Sequence, residues 1–214
     1  MGGTKKPYLT LAGEPILLHA LRRVLERPDV TAVVVAVASE DLQRPPRWLA
    51  ELDPRITLTA GGATRSDSVR AALAALPPDL DVILVHDAAR PLLAPDVLER
   101  CVRVAADGKG AVAGYPAVDT LKEVDASGRV LGTPERARFW HAQTPQAFPA
   151  AVIRRAYERA DGAAATDDAS LVERLGETVV MVEASPRNLK VTRPEDLALA
   201  ELFLASERER GGHP

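Results

Sequence analysis

The sequence predicts an α/β fold in which a mostly parallel sheet is covered by helices on both faces. Short, continuously apolar runs such as residues 31–38 and 82–85 alternate along the chain with segments of helical periodicity. Strands that are apolar on both faces are typical of parallel sheets buried on both sides. The polar stretch 119–138 interrupts this alternation and indicates a β-hairpin that projects from the sheet.

The first half of the chain shows the alternation most clearly. Apolar residues recur at helical spacing over 17–25, and Pro28-Asp29 separates this helix from the apolar strand at 31–38. The next predicted elements are a strand at 56–60, a helix from the N-cap Ser66 to residue 75, a strand at 82–85 and a helix at 95–106. This order of strands and helices predicts parallel βαβ units.

The second half resumes the pattern after the hairpin. Its predicted elements are a strand at 111–115, helices at 149–160 and 167–175, a strand at 179–182 and a helix at 194–209. In the hairpin, the short segments 121–124 and 129–131 contain few apolar residues. Because an isolated two-stranded hairpin is marginally stable, we expect this arm to lie on a second subunit.

Composition limits the possible functions. The 214 residues are 46% hydrophobic and 27% charged, as in a globular protein, and we expect a single domain over 1–214. The net charge of −3 argues against nucleic-acid binding. Absence of a long apolar run or signal-peptide pattern predicts a cytoplasmic protein without membrane partners. One cysteine, Cys101, excludes an intrachain disulfide.

Two candidate sites come after predicted strands. His86-Asp87-Ala88-Ala89-Arg90-Pro91 comes after the strand at 82–85, where an acid can hold a divalent cation and an arginine a phosphate. Lys190, one of five lysines among 27 basic residues, follows the strand at 179–182 and suits charge stabilisation. The alternatives are an Asp helix cap with an exposed arginine, and a solvated surface lysine.

The Gly61-Gly62 turn is a third candidate, since glycine lets a base or phosphate approach the backbone before a helix N-terminus. A plain strand-to-helix turn explains the same residues. The basic pair Lys5-Lys6 is a fourth candidate, with a solvated chain end as its alternative.

Taken together, these segments resemble one family. HDAARP, GGATRSDSV, DTLKEV, FWHAQTPQ, ATDDAS and NLKVTRPEDL occur in this order across nearly the whole chain. The set resembles the 2-C-methyl-D-erythritol 4-phosphate cytidylyltransferase family, and it implies a three-layer Rossmann-like nucleotidyltransferase fold with a dimerisation arm at 119–138. It further implies transfer of CMP from CTP to 2-C-methyl-D-erythritol 4-phosphate in non-mevalonate isoprenoid biosynthesis, with Mg²⁺ as cofactor.

The resemblance also assigns roles to residues of this chain. Lys6 and Lys190 would be catalytic, and Asp87 would hold the metal. The CTP site would comprise Gly62, Ser68, Asp87 and Ala88. The polyol phosphate would be bound by Arg90, Thr144 and Thr166, together with Thr120 and Arg136 from the arm of the neighbouring subunit in a homodimer. Asp168 stands where the family usually has Glu, a change of length without change of charge.

The sequence departs from the family's pattern at the beginning of the chain. Family members open with a β-strand and a Gly-rich loop, and Met1-Gly2 matches only the end of that loop. A sheet without this central strand should leave neighbouring strands with unpaired backbone groups, so we expect the printed chain to be weakly active or unstable.

Two other functions fit part of the sequence. A cytidylyltransferase for another polyol phosphate, such as ribitol 5-phosphate, shares much of the pattern. A non-catalytic remnant that binds nucleotide or only dimerises is the second alternative. A dinucleotide-dependent oxidoreductase is disfavoured, because no G-x-G-x-x-G follows a strand.

Overall fold

The structure, a computed structural model, describes residues 6–160 and 165–211, with the side chains of Lys6 and of 208–211 excepted. The described helices are α1 (Ile16–Leu25), α2 (Ser39–Gln43), α3 (Arg47–Ala50), α4 (Arg65–Ala75), α5 (Pro95–Ala106), α6 (Ala150–Glu158), α7 (Asp168–Glu173) and α8 (Pro194–Gly211). The described strands are β1 (Thr10–Leu11), β2 (Glu14–Pro15), β3 (Val33–Val37), β4 (Ile56–Ala60), β5 (Val82–Val85), β6 (Gly110–Pro116), β7 (Glu123–Val124), β8 (Val130–Gly132), β9 (Trp140–Pro149) and β10 (Val179–Glu183). Short 3₁₀ turns lie at Lys6–Tyr8 and Arg136–Arg138.

Within the described ranges, the main sheet has four strands in the order β10–β6–β9–β5. Strands β6 and β10 are parallel, whereas β9 runs antiparallel to both β5 and β6. Strands β5, β6 and β10 therefore point the same way. A separate parallel ladder joins β3 to β4. The predicted α/β class and the hairpin, formed by β7 and β8, are confirmed.

Strand β9 was not predicted from the sequence. It contains Pro145 and two buried glutamines, Gln143 and Gln146, so neither an apolar run nor a strict alternation marks it. A second difference concerns α4, where the predicted N-cap Ser66 is wrong. Thr64 is the cap: its hydroxyl accepts from the Asp67 backbone N–H, and the Asp67 carboxylate accepts from the Thr64 N–H in return.

Successive residues of the main sheet face opposite layers, because side chains of a strand alternate between its faces. Val112 and Phe148 pack against α6 and α7 in one buried cluster. Ala111 and Ala147 pack against α5 on the other face, where their small side chains let the helix approach closely. Burial on both faces explains why these strands read as continuous apolar runs.

An apolar groove separates the β3–β4 ladder from the main sheet. It has a volume of about 740 Å³ and is lined by β3 and β5 on its sides and by α1, α4 and α5 on its faces. Within the part of the chain that the structure describes, neither β3 nor β5 has a strand partner on the groove side. One end of the groove opens at Asp87 and Ala88, the edge where the candidate residues gather.

Candidate active site

The candidate residues meet at the carboxyl ends of β5 and β10. Asp87 follows β5 by two residues, and Lys190 lies on the loop after β10. Because these strands point the same way, the loops that follow them lie at the same edge of the sheet. Between the loops is a pocket of about 270 Å³, lined by Arg65, Asp87, Arg90, Ala142, Gln143, Thr144, Gln146, Thr166, Asp167 and Lys190.

Three cations surround the Asp87 carboxylate. Lys190 Nζ lies 2.9 Å from Oδ2, and Arg90 Nε lies 3.5 Å from the same oxygen. Arg65 Nε lies 3.2 Å from Oδ1. The Asp87 side chain is only 12% exposed, whereas that of Lys190 is 41% exposed and can reach a ligand.

The electrostatics favour an anionic ligand. Burial alone would raise the pKa of the Asp87 carboxyl, but Lys190 and then Arg65 outweigh this effect and hold the pKa below its ordinary value. Asp87 is therefore ionised at neutral pH. The pocket wall carries three cations and two carboxylates, Asp87 and Asp167, so its formal charge is positive. A positively charged pocket attracts phosphates.

Thr144 forms part of the pocket floor. Its hydroxyl accepts a hydrogen bond from the Asp87 backbone N–H at 2.9 Å and lies 3.1 Å from Nδ1 of His86. His86 Nε2 is 3.0 Å from the Arg90 carbonyl, which can only accept, so Nε2 carries the proton and Nδ1 accepts from Thr144. Burial lowers the pKa of His86 to about 4, which keeps the ring neutral. The single hydroxyl proton of Thr144 is thus committed to His86 in this state.

Arg90 ties the two loops of the site together. Its Nη1 donates to the Asn188 carbonyl at 2.7 Å. The Asn188 amide in turn donates to the Thr144 carbonyl at 2.8 Å and to the Gln143 side chain at 3.1 Å. These bonds fix β9 against the loop that carries Lys190.

The Gly61-Gly62 turn has a steric reason for its glycines. A Cβ on Gly62 would lie 2.2 Å from the Asp67 Cβ, which excludes any larger residue in this conformation. The Gly62 backbone N–H donates to Ser68 Oγ at 3.1 Å, and Ser68 donates to the Thr64 carbonyl. Ser68 and Ala88 line the groove end rather than the pocket, beside Arg65 and Asp87, which line both.

Thr166 lies at the exposed rim of the pocket, just before α7. The following residue, Asp167, caps that helix by accepting from the Ser170 backbone N–H at 3.0 Å. Gln146 donates to Asp167 at 2.9 Å and accepts from the Ala169 N–H at 2.9 Å. Strand β9 thereby positions the helix start that carries Thr166.

The remaining predicted residues lie apart from this pocket. Arg136 donates to the Val118 carbonyl at 2.6 Å at the base of the arm, and Thr120 is exposed nearby. Neither lines the pocket of its own chain. The Lys6 backbone belongs to the first 3₁₀ turn, but its side chain, and with it the predicted catalytic ammonium, lies outside the described part of the structure.

Sequence reasoning assigned no role to Arg65, Asp168, Gln146 or His86, although His86 opens the candidate segment HDAARP. Arg65 and Asp168 stand within the motifs GGATRSDSV and ATDDAS. Their link spans 103 residues, so no spacing along the chain could reveal it.

Comparison with known proteins gives a consistent result. The profile of the family described as 2-C-methyl-D-erythritol 4-phosphate cytidylyltransferase matches residues 1–206. A protein of that name from Symbiobacterium thermophilum is 46% identical over 209 residues, which cover 96% of this chain and 87% of that protein. One from Rhodococcus jostii is 45% identical, with 97% and 88% covered.

Solved structures agree. The 4-diphosphocytidyl-2C-methyl-D-erythritol synthase of Anaerococcus prevotii superposes with a TM-score of 0.87 at 28% identity, covering 96% of this chain and 92% of that one. The 2-C-methyl-D-erythritol 4-phosphate cytidylyltransferase of Thermus thermophilus gives 0.81 at 33% identity, with 94% of each chain covered.

Proposed function

Because the chain belongs to the 2-C-methyl-D-erythritol 4-phosphate cytidylyltransferase family, we propose that CMP transfer takes place in the pocket around Asp87. The enzyme transfers CMP from CTP to 2-C-methyl-D-erythritol 4-phosphate in isoprenoid biosynthesis, and releases pyrophosphate. The observation that carries the assignment of the site is the cluster of Lys190, Arg65 and Arg90 around the largely buried Asp87 carboxylate at the open edge of the sheet.

The reaction needs positioning and charge stabilisation more than acid–base chemistry. A phosphate oxygen of the polyol phosphate attacks the α-phosphorus of CTP, and the bond to the pyrophosphate oxygen breaks. Since the nucleophile is already anionic, no general base is required. Lys190 is half-exposed beside the pocket, where its ammonium neutralises charge that builds on the α-phosphate oxygens. Lys6 is proposed to act on the same phosphate.

The two substrates occupy the two spaces that meet at Asp87. We assign CTP to the groove end, where Ser68 and Ala88 lie and Gly62 is hydrogen-bonded to Ser68. The polyol phosphate belongs in the pocket with Arg90 and Thr166. Thr144 contributes chiefly by holding the Asp87 backbone, because its hydroxyl already donates a hydrogen bond to His86.

We propose that Mg²⁺ binds at this site through one protein carboxylate. No group of three or more metal-ligating His, Cys, Asp or Glu side chains occurs among the described residues. Asp87 would hold the ion, and substrate phosphates and water would supply the other oxygens, as Mg²⁺ accepts. The bound ion would neutralise phosphate charge. Before the ion binds, Asp87 keeps Lys190 at the mouth of the pocket.

The arm supports a homodimer. Five apolar residues at and beside the arm are more than 40% exposed: Val118, Val124, Val130, Leu131 and Phe139. A partner subunit would cover them, and would bring Arg136 and Thr120 to the partner's polyol phosphate. No helix in the described ranges is long and apolar enough to cross a membrane. We propose that the enzyme works in the cytoplasm.

Replacing Lys190 tests the assignment of the site. Lys190→Ala should lower kcat by about a hundredfold or more, because the lost charge acts on the transition state, and should change the KM for CTP only a few-fold. Lys109→Ala, at an exposed turn before β6, is the matched control and should behave as wild type. Near-normal turnover of the Lys190 variant would exclude this role.

A further inference from the structure

Arg65 is held as a fork between two carboxylates. Its Nε lies 3.2 Å from Asp87 Oδ1, and its Nη2 donates to Asp168 Oδ2 at 2.7 Å. Burial lowers the pKa of the guanidinium, but Asp168 and then Asp87 outweigh this effect, so the net pKa lies above its ordinary value. Arg65 is therefore a permanent cation that joins α4 to α7 and to the loop after β5.

Asp168 is fully buried, and both of its oxygens are occupied. Tyr157 Oη donates to Oδ1 at 2.5 Å, while Arg65 takes Oδ2. Burial, followed by the Asp168 charge, raises the pKa of Tyr157, which keeps the phenol protonated as a donor. A buried carboxylate is tolerated only when paired and hydrogen-bonded, and here the pairing fixes its orientation.

We propose that Tyr157 and Asp168 are positioning residues for the transfer of CMP. Neither lines the pocket. Asp168 holds one arm of the Arg65 fork, which directs Nε to Asp87 Oδ1 and leaves Oδ2 to Lys190. Without Asp168, Arg65 would be free to turn toward a substrate phosphate, and Asp87 would lose one of the contacts that orient it. The proposal rests on the assigned roles of Asp87 and Lys190.

A purely structural role for the same contacts predicts a different effect on kcat. The chain Tyr157–Asp168–Arg65 also ties α6, α7 and α4 together, and losing it would destabilise the fold. Destabilisation alone lowers the amount of folded enzyme without slowing each folded molecule. The test therefore measures kcat per folded enzyme, at a temperature where urea titration shows every variant to be folded.

Two single variants and a double-mutant cycle separate these roles. Tyr157→Phe removes one hydroxyl and should lower kcat about threefold to tenfold. Asp168→Asn should lower it about tenfold to a hundredfold, with the KM of both substrates changed less than about threefold. In an Arg65→Gln background, adding Asp168→Asn should cost less than about twofold more, because Asp168 acts through Arg65.

Two control variants separate loss of positioning from loss of an ion pair elsewhere and from a wrong assignment of the site. Asp53→Asn breaks an Asp–Arg pair with Arg55, remote from the site, and should leave kcat unchanged. Wild-type kcat in folded Tyr157→Phe and Asp168→Asn, or additive losses with Arg65→Gln, would overturn the positioning role. If Lys190→Ala were also fully active, the assigned site itself would fail. A slow Lys190 variant beside fully active Tyr157 and Asp168 variants would reject only this inference.

Discussion

At the residue scale, the choice between lysine and arginine follows geometry. Only five of the 27 basic residues are lysine, and one of them contacts the Asp87 carboxylate as a compact charge. Arginine stands wherever two partners must be joined, as Arg65 joins Asp87 to Asp168 and Arg90 joins Asp87 to the Asn188 carbonyl. A planar fork spans two acceptors, whereas an ammonium can move to a phosphate without breaking a fixed geometry.

Asp87→Asn should raise the Mg²⁺ concentration needed for half-maximal rate about tenfold or more, because the neutral amide is a weaker Mg²⁺ ligand than a carboxylate. A metal titration at saturating CTP and polyol phosphate measures this. Asp96→Asn, an exposed aspartate on α5 paired with Arg100, serves as the control. An unchanged metal requirement in Asp87→Asn, or full wild-type activity in excess chelator, would remove the ion from Asp87.

At the element scale, arginine side chains cap segments whose carbonyls have no partner within a helix. Arg154 of α6 donates to the Leu73 and Pro77 carbonyls at the end of α4. Arg55 donates to the carbonyl of Leu25, the last residue of α1, and to the Val30 carbonyl beyond that helix. The last turn of a helix leaves carbonyls unsatisfied, and each such bond supplies the missing donor. These contacts attach the helices to the layers on either side of them.

Asp53 makes the Arg55 contact dependent on pH. Hydrogen bonds from Arg55 lower the pKa of Asp53 to about 2, below its value in the unfolded chain. The resulting stability is complete above about pH 4 and is lost as the pH falls through about 2. Urea midpoints measured from pH 5 to pH 2 should therefore fall less steeply for Asp53→Asn than for wild type. Parallel curves for the two proteins would contradict this contribution.

At the scale of the whole molecule, the arm and the groove both present apolar surface to solvent. The arm exposes apolar residues and carries Arg136, yet Arg136 does not line the pocket of its own chain. The groove has strand edges on both sides and apolar helices on both faces. Each is a surface that a further polypeptide segment would stabilise by burying apolar area.

Subunit mixing tests the arm. The Arg136→Ala and Lys190→Ala proteins should each be slow when assayed alone. If Arg136 acts in the partner's site, a mixed dimer has one site with both lesions and one with neither. Exchanged mixtures should then approach half of wild-type activity per mixed dimer. A mixture as slow as its parents, after exchange is verified by tagged subunits, would place Arg136 in its own site.

An added strand tests the groove. Fusing an extended, apolar, β-branched segment of about five residues ahead of Met1, through a flexible linker, should raise Tm by about 5 °C or more, because it pairs with β3 and β5. A Gly/Ser extension of equal length is the control. Equal thermal midpoints for the two fusions would show that the groove does not accept a strand.

The sequence by itself determined the local features. Apolar runs placed β3, β4, β5, β6 and β10, and the polar interruption placed the arm, because burial on both faces leaves a mark on consecutive residues. Asp87 and Lys190 were likewise identified as candidates from their places after predicted strands, because ligands of an open parallel sheet bind at the carboxyl ends of its strands. The Gly61-Gly62 turn was recognised, although its cap was assigned to Ser66 rather than Thr64.

Only the tertiary structure decided how distant segments combine. Strand β9 lies at the centre of the sheet although its residues carry no strand pattern, since its place depends on pairing with β5 and β6. The Tyr157–Asp168–Arg65 contacts and the hydrogen bond from Thr144 to His86 also join segments far apart in the chain. The groove between β3 and β5 is likewise lined by distant segments. Periodicity reports the environment of neighbouring residues, whereas these contacts depend on the topology that brings remote ones together.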